Sequence, residues 1–299
     1  MNNRLRSVLY VPGLNTKAMQ KGIGLPVDAI VFDLEDSISE TQKGQARQTL
    51  RSFLKNHEGG TGKAHTTRVI RVNDMDTEFW RDDIDLVRHA RPDAILLPKV
   101  TSASTIREAN RLLNSDAAQS PIRIWIMIES ALGILKLERI VEESLEQNLA
   151  CLVLGTNDLA KDTDIDPGED RKNFVPWFAH IVMVAKSYGL PVIDGVLNDI
   201  HDQETLSKEC QAAKSLGMSG KTIIHPNQRE AVNTLFSPTP AQLAWWEKIV
   251  AAYDMPENVD KGVIKVEGVM VERLHLETAQ EKLAQFAEAS LGKNAGTGS

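Results

Sequence analysis

Short apolar runs recur along the chain, each closed by glycine, proline or charged residues and each followed by a longer segment with apolar residues at helical spacing. The runs Ser7–Val11, Ala29–Phe32, Arg68–Val72, Ala94–Leu97, Ile122–Ile128, Cys151–Leu154, Pro191–Ile193 and Lys221–Ile224 predict buried strands, because Val, Ile and Phe suit a pleated interior covered on both faces. Between them the spacing predicts helices over Thr16–Ile23, Glu40–Asn56, Glu78–His89, Ala103–Leu113, Ile134–Leu145, Trp177–Tyr188 and Thr205–Leu216. In the second of these, Ala46, Leu50, Phe53 and Leu54 form the apolar stripe. His57–Lys63 is glycine-rich and reads as a loop. Strands alternating with helices argue for parallel pairing, since each crossover needs a helix to return the chain. Eight such units predict an α/β fold, a closed TIM (β/α)8 barrel. An open doubly wound sheet is the alternative, but no GxGxxG or GxxxxGK[ST] loop follows the first strand.

The barrel is expected to occupy residues 1–237, with Pro238–Pro240 as its boundary. Residues 238–291 form a C-terminal extension. Within it Ala241–Tyr253 reads as a helix, Val263–Val266 and Val269–Val271 as a hairpin around Glu267-Gly268, and Leu274–Ser290 as a final helix. The extension is expected to pack on the barrel mouth or on a neighbouring subunit, and residues 292–299 to be disordered.

Composition narrows this picture. Of 299 residues, 42% are hydrophobic and 25% charged, which is ordinary for a globular chain. A net charge of -7 with no Lys/Arg run argues against nucleic acid or another extended polyanion as partner. Cys151 and Cys210 are the only cysteines and lack any Cys/His ligand spacing. They read as reduced packing residues of a cytoplasmic or organelle-matrix protein. No apolar run reaches a membrane-spanning length, and the first residues lack a signal-peptide core.

In a barrel, chemistry sits where strands end. The ends carry Tyr10, then Asp33, Glu35 and Asp36, then Arg71 and Asn73, Lys99, Glu129, Asn157 and Asp158, and His225. Three acids within four positions repel one another unless a cation lies nearby. Glu129 and Asp158, on neighbouring strands, fit a hard divalent cation, which takes one or two carboxylates plus water and substrate. Asp33, Glu35 and Asp36 would then hold the cation's waters. Alternatively, Asp158 caps its turn and Glu129 pairs with Arg123 or Lys99. The Arg71 guanidinium suits the carboxylate of a 2-oxo or 2-hydroxy acid, or else an ion pair with the Asp33–Asp36 cluster. Lys17 and Lys21 share a helix face and read as solvated unless a phosphate approaches. His225-Pro226 is either catalytic or a hydrogen-bonding strand end.

Arg6–Gly13, Asp33–Ser37, Arg71–Asn73, Leu97–Lys99, Ile128-Glu129, Gly155–Leu159 and Gly217–Pro226, taken in this order, resemble the citrate lyase beta-subunit family, which includes malyl-CoA and citramalyl-CoA lyases. The resemblance runs from residue 6 to about 286. It implies a barrel with a C-terminal extension, a homotrimer or hexamer, and Mg²⁺-dependent carbon–carbon lyase chemistry on a CoA thioester and a small 2-oxo acid. By position it implies metal ligation by Glu129 and Asp158, binding of the acid by Arg71, and substrate contacts from Tyr10, Lys17 and Lys21. Stand-alone lyases of this family carry a Met-Ile-Asp motif whose Asp acts as acid/base in a neighbouring subunit's site. This chain reads Met270-Val271-Glu272. The added methylene moves the carboxylate by roughly 1 Å, a displacement that can cost about a hundredfold in rate. The resemblance leaves two further roles open: a citrate lyase beta subunit acting on an acyl-carrier protein, and a weakly catalytic binder of CoA or 2-oxo acids.

Overall fold

The structure, a computed structural model, describes residues 4–57, 66–115 and 119–294. Eight parallel strands follow one another around a closed barrel: β1 (Ser7–Pro12), β2 (Ala29–Asp33), β3 (Thr67–Arg71), β4 (Ala94–Leu97), β5 (Arg123–Ile128), β6 (Leu149–Leu154), β7 (Val192–Asp194) and β8 (Gly220–Ile223). β8 pairs with β1 through Ser7–Lys221 and Leu9–Ile223, which closes the ring. Closure depends on a missing side chain: a Cβ at Gly220 would lie 1.8 Å from the carbonyl oxygen of Leu5.

Side chains alternate across each strand. One set fills the interior: Val8, Ala29, Val31, Val69, Ala94, Leu96, Trp125, Met127, Cys151, Val153 and Ile193. The large Trp125 shares this space with small Ala29, Ala94 and Cys151, so bulky and slight residues together fill the barrel. The other set, including Leu9, Ile30, Phe32, Ile70, Ile95, Ile126 and Leu152, packs against the helices. Each strand is therefore buried on both faces, and the strand sequences run almost continuously apolar.

Several elements differ from the sequence expectation. The second helix is Lys43–Lys55, entered through a 3-10 turn at Glu40–Gln42. The segment after β5 starts three residues early, at Ala131, because the Ser130 side chain accepts the Gly133 N–H and caps it; two short helices follow, Ala131–Leu135 and Leu137–Glu142. Thr156–Thr163 is helical where a turn was expected, and Arg229–Phe236 adds a helix that the sequence reading did not mark. Gly-Thr-Asn-Asp is turn-like by composition, yet all but its glycine lie inside the helix. The glycine-rich segment beyond His57 lies, from residue 58 to 65, outside the described residues.

By contacts the chain divides into two compact units, the larger holding the eight-stranded barrel and the smaller holding the C-terminal elements. The smaller contains helix Pro240–Tyr253, the antiparallel hairpin β9 (Val263–Val266) and β10 (Val269–Glu272), and helix Arg273–Asn294. Glu267 and Gly268 have φ of 46° and 89°, the left-handed backbone that a two-residue hairpin turn requires. Its core gathers Ile249, Tyr253, Ile264, Val266, Val271, Leu276 and Ala279. The Tyr253 hydroxyl donates to the Val271 carbonyl at 2.9 Å. The final helix runs past the expected end at Ser290 to Asn294. It thereby takes in residues 292–294 of the stretch 292–299 expected to be disordered, and the rest of that stretch lies outside the described residues. Among the described residues no helix is long and apolar enough to cross a membrane.

Candidate active site

The alternation that fills the barrel also places its polar residues. Continuing each inward series by two positions, Val31 leads to Asp33, Val69 to Arg71, Met127 to Glu129 and Val153 to Gly155. All four emerge at the C-terminal ends of their strands. There a cavity of about 410 Å³ is bordered by Tyr10, Asp33, Asp36, Arg71, Met127, Gly155, Asp158, Asn198 and Ile224, with Glu129 outside this lining.

Arg71 is buried and surrounded by acids. Its Nε and Nη2 donate to the two oxygens of Asp33 at 2.7 and 2.8 Å. Its Nη1 reaches Glu35 Oε2 at 2.8 Å and Asp36 Oδ2 at 3.0 Å. The expected two-pronged grip on a substrate carboxylate is thus taken up by Asp33, and the ion pair with the Asp33–Asp36 cluster is what the chain forms. A guanidinium has five N–H groups, so one Nη2 hydrogen is left over among the described residues. The Asp36 carboxylate is 56% exposed, the loosest of the three. Tyr10 stacks under the guanidinium at 5.1 Å, and its hydroxyl contacts Met127 Sδ at 4.0 Å.

The acidic loop is tied down by the strand-end Asn73 and by Lys43, Asp83 and Arg47, which the strand ends did not point to. Buried Lys43 donates to the carbonyls of Leu34 (2.9 Å) and Glu35 (2.7 Å). Asn73 donates to Leu34 O at 3.0 Å and to Asp83 at 2.7 Å, and Asp83 in turn pairs with Arg47 at 3.0 Å. Asp33 accepts the backbone N–H groups of Glu35 and Ser37. Burial pushes the Asp33 carboxyl up, but the charge and hydrogen bonds of Arg71 outweigh it and hold it below the usual carboxylate range. Glu35 goes the other way: burial and neighbouring Asp36 raise it despite Arg71 and Lys99.

Glu129 is 4% exposed. Its Oε1 accepts the Lys99 backbone N–H at 2.6 Å, rather than a side-chain ion pair with Arg123 or Lys99. Lys99 has φ of 51°, and this left-handed backbone goes with the aim of that N–H; its ammonium pairs with Glu35 at 3.0 Å. Glu129 also leans on bare backbone: a Cβ at Gly155 would come within 2.4 Å of Glu129 Oε2. Burial, together with the like charges of Glu35 and Asp158, drives the Glu129 carboxyl up to about 8 despite the Lys99 N–H. Asp158 stands in the first turn of helix Thr156–Thr163 and borders the cavity.

Counted together among the described residues, the five acids Asp33, Glu35, Asp36, Glu129 and Asp158 face three cations, Arg71, Lys99 and, from beneath the loop, Lys43. Carboxylates in such excess, one of them driven toward its protonated form, suit a divalent cation. Among the described residues no three His, Cys, Asp or Glu side chains converge as a ready cage. Mg²⁺ needs none, since it uses one or two carboxylates and completes its shell with water and substrate.

Other expected residues stand elsewhere. Lys17 and Lys21 are exposed on helix Thr16–Ile23 and do not line the cavity. His225 has a structural role: its Nδ1 accepts the Asn227 N–H at 3.2 Å and caps a 3-10 turn. Asn157 exchanges amide hydrogen bonds with Asn198 at 3.0 and 3.2 Å. Glu272 belongs to the smaller unit, where its side chain is exposed and its N–H donates to His275 Nδ1. Cys151 and Cys210 are buried free thiols, that of Cys210 pushed up to about 12 chiefly by burial. A second cluster went unread in the sequence. Buried Lys221 bonds Asp194 (2.8 Å) and Glu209 (2.6 Å), and Arg171 grips Asp194 through two N–H groups at 2.8 and 2.9 Å. These residues are scattered over four elements, and nothing in their local sequence marks them as partners.

Barrel, cavity and strand-end cluster define a (β/α)8-barrel enzyme. The chain belongs to the HpcH/HpaI aldolase/citrate lyase family, whose sequence profile matches residues 6–226, and aldolases and citrate lyases both break carbon–carbon bonds. It is 39% identical over 95% of its length to a protein of Cereibacter sphaeroides named (3S)-malyl-CoA thioesterase, covering 95% of that chain. It is 30% identical to the mitochondrial citramalyl-CoA lyase of Mus musculus, over 92% of this chain and 84% of that one. In fold it matches the CitE protein of Mycobacterium tuberculosis, solved with magnesium, acetoacetate and coenzyme A, with a TM-score of 0.75 at 23% identity, over 95% of this chain and 99% of that one.

Proposed function

We propose that the chain cleaves a 3-hydroxyacyl-CoA such as citramalyl-CoA or malyl-CoA, reversibly, to acetyl-CoA (or its propionyl homologue) and a 2-oxo acid, pyruvate or glyoxylate, with Mg²⁺ held by Glu129 and Asp158. The observation that carries this is the excess of carboxylates at the strand ends, of which Asp33, Asp36 and Asp158 line a cavity that also presents Arg71 while Glu129 stands behind Gly155 at its edge. When bound, the cation supplies a Lewis acid for the oxygens of the acid portion. Arg71 positions the acid's carboxylate through its spare Nη2 hydrogen and through Nη1, which Asp36 at the exposed rim gives up. Asp33 holds the guanidinium still while this happens, and Lys43 and Asn73 hold the acidic loop. Tyr10 supports the guanidinium from below and lines the substrate's path. Lys17 and Lys21 meet the CoA portion of the substrate. Glu272, supplied by a neighbouring copy in a trimer or hexamer, exchanges the proton at the carbon that leaves as the acetyl group.

The test is to incubate the protein with Mg²⁺ and acetyl-CoA and with glyoxylate, pyruvate or oxaloacetate in turn, reading thioesters by mass spectrometry. A new hydroxyacyl-CoA with glyoxylate or pyruvate, absent with EDTA and absent for Asp158→Ala, is expected. No thioester with any of the acids removes the reading.

A second reading is favoured by the Cereibacter relative's name: hydrolysis of the same thioester, in which water attacks its carbonyl and releases the hydroxy acid and free CoA. Release of CoA thiol from malyl-CoA without glyoxylate would establish it.

A further inference from the structure

Met127 faces the barrel interior one step below Glu129, because residues two apart on a strand share a face. It packs in the interior cluster with Val31, Trp125 and Val153, is 5% exposed, and still borders the cavity. Its sulfur lies 3.8 Å from Arg71 Nη1 and 4.0 Å from the Tyr10 hydroxyl. One apolar side chain thus touches both of the polar groups placed on the acid's side of the cavity. A thioether is a weak acceptor, so these contacts hold neither partner in place. Arg71 is already fixed by Asp33, and Tyr10 lies against the guanidinium face. What Met127 contributes is volume, in an unbranched chain that fills irregular space.

We propose that Met127 determines which acids fit, by limiting the substituent on the carbonyl carbon of a 2-oxo acid bound at Arg71. The inference rests on the reaction proposed above and refines it. Hydrogen and methyl substituents are accommodated beside the thioether, while an ethyl group requires it to yield. Truncation to alanine removes three heavy atoms from the floor of the cavity and costs Arg71 only the weak sulfur contact, leaving its bonds to Asp33 in place.

The experiment measures kcat/KM for Mg²⁺-dependent condensation of acetyl-CoA with glyoxylate, pyruvate and 2-oxobutanoate. One methylene in an apolar pocket is worth about 10- to 200-fold in discrimination. Met127→Ala is therefore expected to raise the 2-oxobutanoate-to-glyoxylate ratio at least tenfold, mainly through KM. Met127→Val should raise it by less, and Met127→Leu, of similar volume, should leave it within about twofold. Circular dichroism checks that each variant is folded. An unchanged ratio in folded Met127→Ala and Met127→Val, with the wild type active, overturns the inference alone. A wild type that condenses none of the acids overturns the reaction and the inference with it.

Discussion

Glu129 concentrates the physics of the site in one carboxyl group. Burial raises it from 4.5 to about 8, helped by its acidic neighbours. A carboxyl with a raised folded pKa favours the folded state below its unfolded pKa, and that contribution is lost as pH rises toward the folded value. Without a cation, the wild type should therefore lose stability relative to Glu129→Gln between about pH 4.5 and 8. Mg²⁺ held at Glu129 as proposed would bind the ionised form, and should raise the melting temperature of the wild type more at pH 8 than at pH 6, and that of Glu129→Gln little at either. Thermal melts in EDTA and in Mg²⁺ across this range check both signs. A wild type and variant that melt in parallel from pH 5 to 8 would remove Glu129 as the group responsible.

At the scale of elements, strand periodicity explains how much could be read in advance. The eight apolar runs were legible because strands covered on both faces must be apolar almost throughout, and each correctly marked a strand. Their ends were legible too, since a polar residue just past an apolar run stands at the rim: Asp33, Arg71 and Glu129 all do. Pairing across elements was not. For Arg71 the sequence leaves open a substrate carboxylate or an ion pair with the Asp33–Asp36 cluster, and Asp33 occupies its fork; Lys43 looks like an ordinary helix lysine, whereas it is buried on two carbonyls. The same holds for Lys221, Asp194, Arg171 and Glu209, which come from β8, β7, a 3-10 turn and a helix. Removing one member of such a quartet strands buried opposite charge. Lys221→Met is expected to lower unfolding free energy by about 3–5 kcal/mol, measured by urea denaturation. A loss below about 1 kcal/mol would mean that the remaining charges find other partners.

On the scale of the whole molecule, two compact units divide the work of folding. The barrel closes through a glycine that lets β8 pass the backbone before β1, and the C-terminal unit builds its own core around Tyr253. By contacts the C-terminal stretch of the smaller unit begins at Ser237; eight strand–helix units completing a ring are the signal that put the expected boundary at Pro238–Pro240. The exposed carboxylate of Glu272 has no such signal. Its proposed part in catalysis is inferred from a motif resemblance, because a residue that completes another copy's site need not be buried or bonded in its own.

The surplus of acids over bases at the strand ends has a kinetic consequence. In the proposed reaction the incoming 2-oxo acid is itself an anion, so the acidic rim repels it, and only a dication offsets the surplus negative charge. Loading should therefore be ordered, metal ahead of acid. Titration calorimetry with pyruvate should register no heat of binding in EDTA and saturable heat once Mg²⁺ is present, while the apparent affinity for Mg²⁺ should be measurable with no acid at all. Equal pyruvate affinity with and without the cation would mean that Arg71 captures the anion unaided, and that sequence of events would be wrong.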